Sequence, residues 1–191
     1  QLPLNLSTLG ADFYVGNSHK WLCAPKGAAF LYASSASRPL IQPLVVSWGW
    51  EPEDGSPERL THYLEWEGTR DISAFLSVPA AITYQEERNW TVVRAAAHSL
   101  ARQTIARIEQ LTGLSSLYNS VHPAFCQMAA ARLPGSTNLE TLKASLYDSY
   151  RVEVPLIAWE NEKLIRLSFQ GYNTQEDGDR LMFALEKELA R

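Results

Sequence analysis

Lys20 stands in a setting suited to covalent chemistry with an aldehyde. It lies in the run Asn17-Ser18-His19-Lys20-Trp21-Leu22-Cys23-Ala24-Pro25-Lys26-Gly27. An amine condenses with a carbonyl only when neutral, and a free lysine titrates near ~10.4, so a dry, cationic or ligand-filled site must make the neutral form accessible. Trp21 and Leu22 supply bulk to cover the lysine stem, while Asn17, Ser18 and His19 supply polar donors beside the amine. Two further motifs offer complementary chemistry. Trp66-Glu67-Gly68-Thr69-Arg70-Asp71 places a glycine before a threonine, which lets backbone approach an anion and adds a hydroxyl and an N–H. Leu164-Ile165-Arg166-Leu167-Ser168-Phe169 alternates, so Ile165, Leu167 and Phe169 take one face of a strand and leave Arg166 on the other, where its planar fork can grip a carboxylate.

These residues need elements to hold them. Asp12 to Val15 and Ala28 to Tyr32 read as strands on either side of the lysine loop. The passage Pro39 to Gly68 is rich in Pro, Gly and Trp and carries no helical period. A helix begins after Ser77, with Pro79 in its first turn, and closes near Asn89. A longer helix spans Trp90 to Leu111, with Val93, Ala97, Leu100, Thr104, Ile108 and Leu111 on its apolar face and Thr112-Gly113 as its stop. There follow a strand over Phe125 to Leu133, a helix over Leu139 to Tyr147, and strands at Val154 to Ala158 and Leu164 to Phe169. A last helix from Gln175 to Leu189 is capped by Thr174 with Asp177, and directs Leu181, Phe183, Ala184 and Leu185 inward. The second half thus reads as a compact α+β module, the first as strands belonging to a larger sheet.

Composition removes several classes. The 191 residues carry a net charge of −4, 46% hydrophobic and 20% charged residues. Scattered Lys and Arg leave no basic stripe for nucleic acid, and no apolar run is long enough to span a bilayer. The start, Gln1 to Leu6, lacks the features of a secretory signal, so the cytoplasm is the expected compartment. Cys23 and Cys126 read as free thiols, outside any metal-ligand spacing. Trp48, Trp50 and Trp66 crowd one region and could line a pocket or an interface.

Taken together, the lysine loop, the Gly-Thr turn and the late Arg strand with its Tyr172-Asn173 sequel resemble those of class V aminotransferase-like enzymes of fold type I. Among these, the chain is most similar to isopenicillin N epimerase-like proteins. The resemblance covers nearly all of this chain and only the later half of the family pattern. It implies an α/β architecture, the C-terminal part of the PLP-dependent transferase (aspartate aminotransferase-like) fold, with residues 1–88 a remnant of the large domain and 89–191 a small α+β domain. The implied cofactor is pyridoxal 5'-phosphate (PLP), held as an aldimine by Lys20, which also serves as base or acid at the substrate α-carbon. Asn17 and His19 then approach the cofactor phosphate. Gly68 and Thr69 reach across a dimer interface to the partner's cofactor, and Arg166 binds the substrate α-carboxylate. Val45 to Trp50 resembles a further wall of the site, whereas His62, Tyr63 and Tyr172 are single residues of types that are usually structural.

In such enzymes about half of the chain precedes the lysine, including a carboxylate for the pyridine nitrogen and a ring stacked on the cofactor. The resemblance therefore implies a homodimer or a complementing N-terminal half, and little activity without it. A desulfurase would need a cysteine shortly before the carboxylate-binding arginine, and none lies between Gln127 and Arg166. Epimerase, lyase or transaminase chemistry on an amino-acid substrate is the expectation. The rival is a non-catalytic fragment with a structural or interaction role.

Overall fold

The computed structural model describes residues 1–50, 59–118 and 125–190. The chain forms two compact units, one of residues 3–88 and one of residues 89–191 together with residues 1–2.

In the first unit β1 (Phe13–Asn17) and β2 (Ala29–Ala33) form an antiparallel pair in which Phe13 faces Ala33 and Asn17 faces Ala29. Alternation places Phe13, Val15 and Leu31 on one face and Tyr14, Phe30 and Tyr32 on the other. Both faces present exposed apolar side chains, Val15 at 71%. Apolar residues on both faces mark strands meant to be covered twice, and two strands alone are marginal in water. Among the described residues, the buried apolar side chains of this unit are Ala24, Ala28, Ala33, Ala81 and Tyr63, with no buried Leu, Ile or Val.

Three helices follow in this unit: α1 (Arg59–Glu65), α2 (Ser73–Leu76) and α3 (Val78–Glu87). The helix expected after Ser77 is present as α3, with Pro79 in its first turn. The passage Pro39 to Gly68 differs from its reading as helix-free. It contains a 3₁₀ turn at Arg38–Leu40 and all of α1, while 51–58 lie outside the described residues. Two turns of helix are too short to show a period, and α1 is fixed by packing: Tyr63 is buried and stacks on Trp50, ring centroids 5.0 Å apart.

The second unit holds α4 (Trp90–Thr112), β3 (Met128–Leu133), α5 (Leu139–Asp148), β4 (Leu156–Trp159), β5 (Glu162–Ser168) and α6 (Gln175–Leu189). The sheet is antiparallel in the order β3-β5-β4. Gly113 ends α4, its N–H donating to the Glu109 carbonyl at 2.9 Å, and Asn138 caps α5 by accepting from the Thr141 N–H at 3.0 Å. Helices α4 and α6 pack together over the sheet around Ile105, Ile108, Ile165, Leu167, Leu181 and Leu185. Two inward assignments are corrected. Phe183 is 54% exposed and Leu111 is exposed as well. At 100° per residue Phe183 falls two positions from Leu181, on the far side of α6, where it meets Tyr150 edge-on. On α4 the buried stripe runs through Ala97, Ala101, Thr104, Ile105 and Ile108, and has turned away before Leu111.

Candidate functional site

The lysine loop is built by backbone geometry. The Ser18 N–H donates to the Ala28 carbonyl at 3.2 Å, extending the β1–β2 ladder, and the Ala24 N–H returns to the Ser18 carbonyl at 3.0 Å. Between them the Cys23 N–H donates to the Lys20 carbonyl at 3.2 Å, closing a turn over Lys20-Trp21-Leu22-Cys23. Cys23 takes a left-handed φ of 66° to leave it. Ser18 and Ala24 are buried, His19, Trp21 and Leu22 half-buried, and Lys20 exposed. Among the described residues no ion pair or side-chain hydrogen bond occupies the Lys20 amine. Asn17, at the end of β1, is exposed.

Residues distant in sequence hold this loop from the side. The Gln85 side-chain amide on α3 donates to the Trp21 carbonyl at 2.8 Å. A Cβ on Gly27 would lie 3.1 Å from Ala74 Cβ of α2. The Gly-Thr motif connects to α2, because the Arg70 guanidinium, paired with Glu67 of the same motif, lies over the Phe75 ring at 5.2 Å. Gly68 adopts a φ of +95°, which a residue with a side chain rarely takes. Its nearest neighbour is the Ser47 hydroxyl, 3.6 Å from a Cβ built there. The structure thus brings the Gly68-Thr69 turn beside the Val45 to Trp50 loop, and Thr69 is exposed next to it. Asp71 accepts from the Ser73 N–H at 2.8 Å, and the bonds from Ser73 hold its carboxyl below the ordinary range.

Arg166 belongs to the second unit, in the central strand β5 opposite Ala130. Its backbone N–H donates to the Pro155 carbonyl at 3.0 Å. Its side chain is half-buried, and Nε is enclosed without a hydrogen-bond partner among the described residues. Downstream, Asn173 accepts from the Gln170 N–H at 2.9 Å, and Asp177 accepts from the Thr174 N–H at 3.0 Å, locking the turn that leads into α6. Tyr172 stands at the tip of that turn, 81% exposed. A hollow lined by Arg151, Glu153, Ser168, Asn173, Asp177 and Arg180 lacks Arg166.

These residues fit an anionic aldehyde cofactor and a carboxylate substrate. Among the described residues, Lys20 offers an uncommitted amine and Arg166 a buried donor with no hydrogen-bond partner. A donor left unpaired in this way costs stability unless an acceptor arrives. His62 and Tyr63 take structural positions instead: His62 packs its carbonyl against Gly49, and Tyr63 lies under Trp50. Gln85 and Ala74 had no local sequence signal, since each is defined by a partner more than forty residues away. Among the described residues no cluster could hold a metal ion, and no helix is long and apolar enough to cross a membrane. Cys23 and Cys126 form no disulfide.

Comparison with known proteins identifies the family and the fold. The model of the aminotransferase class-V family matches residues 1–181. Isopenicillin N epimerase of Amycolatopsis lactamdurans is 37% identical over 199 residues, covering 98% of this chain and 49% of that protein. The Streptomyces clavuligerus enzyme of the same name is 33% identical, covering 97% and 49%. The chain therefore spans about half the length of the curated relatives it matches. The apo structure of cysteine desulfurase from Thermococcus onnurineus NA1 superposes with a TM-score of 0.76 at 20% identity, over 97% of this chain and 49% of that one. That likeness shows the fold, which is the α/β architecture expected from the motifs.

Proposed function

This chain belongs to the class V aminotransferase family, and from that premise we propose that it is the lysine-bearing part of a PLP-dependent amino-acid enzyme of the isopenicillin N epimerase type. The observation that carries this reading is Lys20, an exposed amine without a partner among the described residues, at the head of a hydrogen-bonded turn. When bound, PLP supplies an electron-withdrawing ring that makes a substrate α-proton removable. This chain's residues do the rest. Lys20 would hold the cofactor aldehyde and, once released, take and return a proton at the substrate α-carbon. Asn17 and His19 donate to the phosphate, and Gly68 and Thr69 do so for the site of a second copy. Arg166 binds the substrate carboxylate through its fork, aided by an Nε that has no partner among the described residues.

The site is completed by polypeptide that this chain does not contain. In support, β1 and β2 carry apolar side chains on both faces, and the unit around them buries little beyond alanine. Residues 1–88 are then the remnant of the large domain and residues 89–191 the small domain. The same exposed faces also suit the rival reading, a non-catalytic fragment covered by a partner.

The test is an absorbance spectrum after incubation with PLP and gel filtration, with and without borohydride. It is run on this chain, on Lys20→Ala, and on this chain co-expressed with the unmatched half of the A. lactamdurans relative. A retained band that borohydride fixes and Lys20→Ala abolishes supports the enzyme. No retained cofactor in any sample leaves the interaction role.

A further inference from the structure

We infer that Gln85 is a positioning residue for Lys20, fixing the Trp21–Leu22 peptide one residue beyond the lysine so that the amine is presented in one orientation. The inference rests on the reading of Lys20 as the cofactor lysine. In the turn Lys20-Trp21-Leu22-Cys23, the closing bond uses the Lys20 carbonyl and the Cys23 N–H. The central peptide, which joins Trp21 to Leu22, takes no part in that bond. It is the unit whose reversal interconverts type I and type II turns, through ψ of one central residue and φ of the next. Here those angles belong to Trp21 and Leu22, directly after Lys20.

The Trp21 carbonyl of this central peptide accepts from the Gln85 amide at 2.8 Å, across 64 positions of sequence. The Cys23 thiol approaches the same oxygen at 3.9 Å, a weak donor at long range. Gln85 is therefore the strong determinant of which way the peptide faces. It is placed for this by α3, a regular helix on which the half-buried Gln85 lies one turn beyond the buried Ala81. The Gly27 contact with Ala74 holds the other side of the loop to α2, so α2 and α3 together form its support. A helix is a more exact support than a loop, and small misplacement of a reacting amine costs much of the benefit of proximity.

The test compares the chain with Gln85→Leu, which keeps bulk without a donor, and Gln85→Glu, which keeps shape and has no donor when ionised. Two readouts are taken. Amide hydrogen exchange on the 191-residue chain reports the Cys23 and Ala24 N–H groups. Borohydride trapping of PLP, followed by peptide mass spectrometry, reports the ratio of label on Lys20 to label on Lys26. The second readout uses the chain co-expressed with the unmatched half of the A. lactamdurans relative. Lys26 lies in the same loop beyond the turn, so general damage to the loop moves both lysines while loss of positioning moves only their ratio.

The expected result is faster exchange at Cys23 and Ala24 and a fall in the Lys20 to Lys26 ratio of about fivefold to tenfold in both variants, the worth of one hydrogen bond. Unchanged exchange, or an unchanged ratio where the unsubstituted chain favours Lys20, overturns the role of Gln85. Absence of any preference for Lys20 in the unsubstituted chain overturns the cofactor reading itself, and this role with it.

Discussion

A Cβ built on Gly49 would overlap the carbonyl oxygen of His62. The loop carrying Trp48 and Trp50 therefore lies directly on the backbone of α1, with no room for a side chain between them. This contact explains why Trp50 can stack on Tyr63 and why Ser47 reaches the Gly68 turn. Thus two stretches that look like unrelated loops in sequence form one wall.

Gly49→Ala is expected to separate the loop from α1, because backbone on both sides cannot yield as a flexible side chain would. Overpacking of this kind costs about 1–3 kcal/mol or more. Amide exchange should rise together in residues 44–50 and 60–66, and unchanged protection in both would show that the two segments do not depend on each other.

Arg166 should exchange stability for binding. Its buried Nε has no partner among the described residues, and an unsatisfied buried donor costs about 1–3 kcal/mol. Arg166→Met is therefore expected to hold or raise the denaturation midpoint of the chain. In the complemented assembly, Arg166→Lys should weaken amino-acid substrate binding by about tenfold or more, since a point charge cannot reproduce a two-bond fork. A midpoint lowered by several degrees in Arg166→Met would show that the guanidinium has a structural partner.

The two faces of α6 should respond differently to truncation. Leu185 is fully buried within the core, so Leu185→Ala should cost about 2–5 kcal/mol. Phe183 is mostly exposed, and Phe183→Ala should cost under about 1 kcal/mol. Urea titration of the two variants checks this directly, and equal losses would contradict the orientation of the helix.

Acid should loosen the start of α6. Bonds from Thr174 and Asn173 hold the Asp177 carboxyl below its ordinary value. Its folded-state pKa is thus lower than the unfolded one, near ~3.9, so its contribution is full above that value and is lost as pH falls through the folded pKa. Below pH of about 4 the chain should lose stability less steeply in Asp177→Asn than in the unsubstituted protein. Parallel melting curves against pH would remove Asp177 from the acid response.

The sequence alone was enough for elements whose cause is local. The Thr174 and Asp177 pair announced α6, Gly113 ended α4, Pro79 opened α3, and alternation in β5 set Arg166 apart from Ile165 and Leu167. The three motifs identified the family because spacing along the chain preserves them without reference to packing. What depends on tertiary structure was not legible. Helix α1 exists because Gly49 and Trp50 pack on it, and seven residues cannot show a period. The direction of Phe183 follows from where the sheet lies under α6, which periodicity brackets only to within a residue or two. The hold of Gln85 on the Trp21 carbonyl joins positions 64 apart. Only the folded chain can specify such a bond, since neither residue carries a signal of the other.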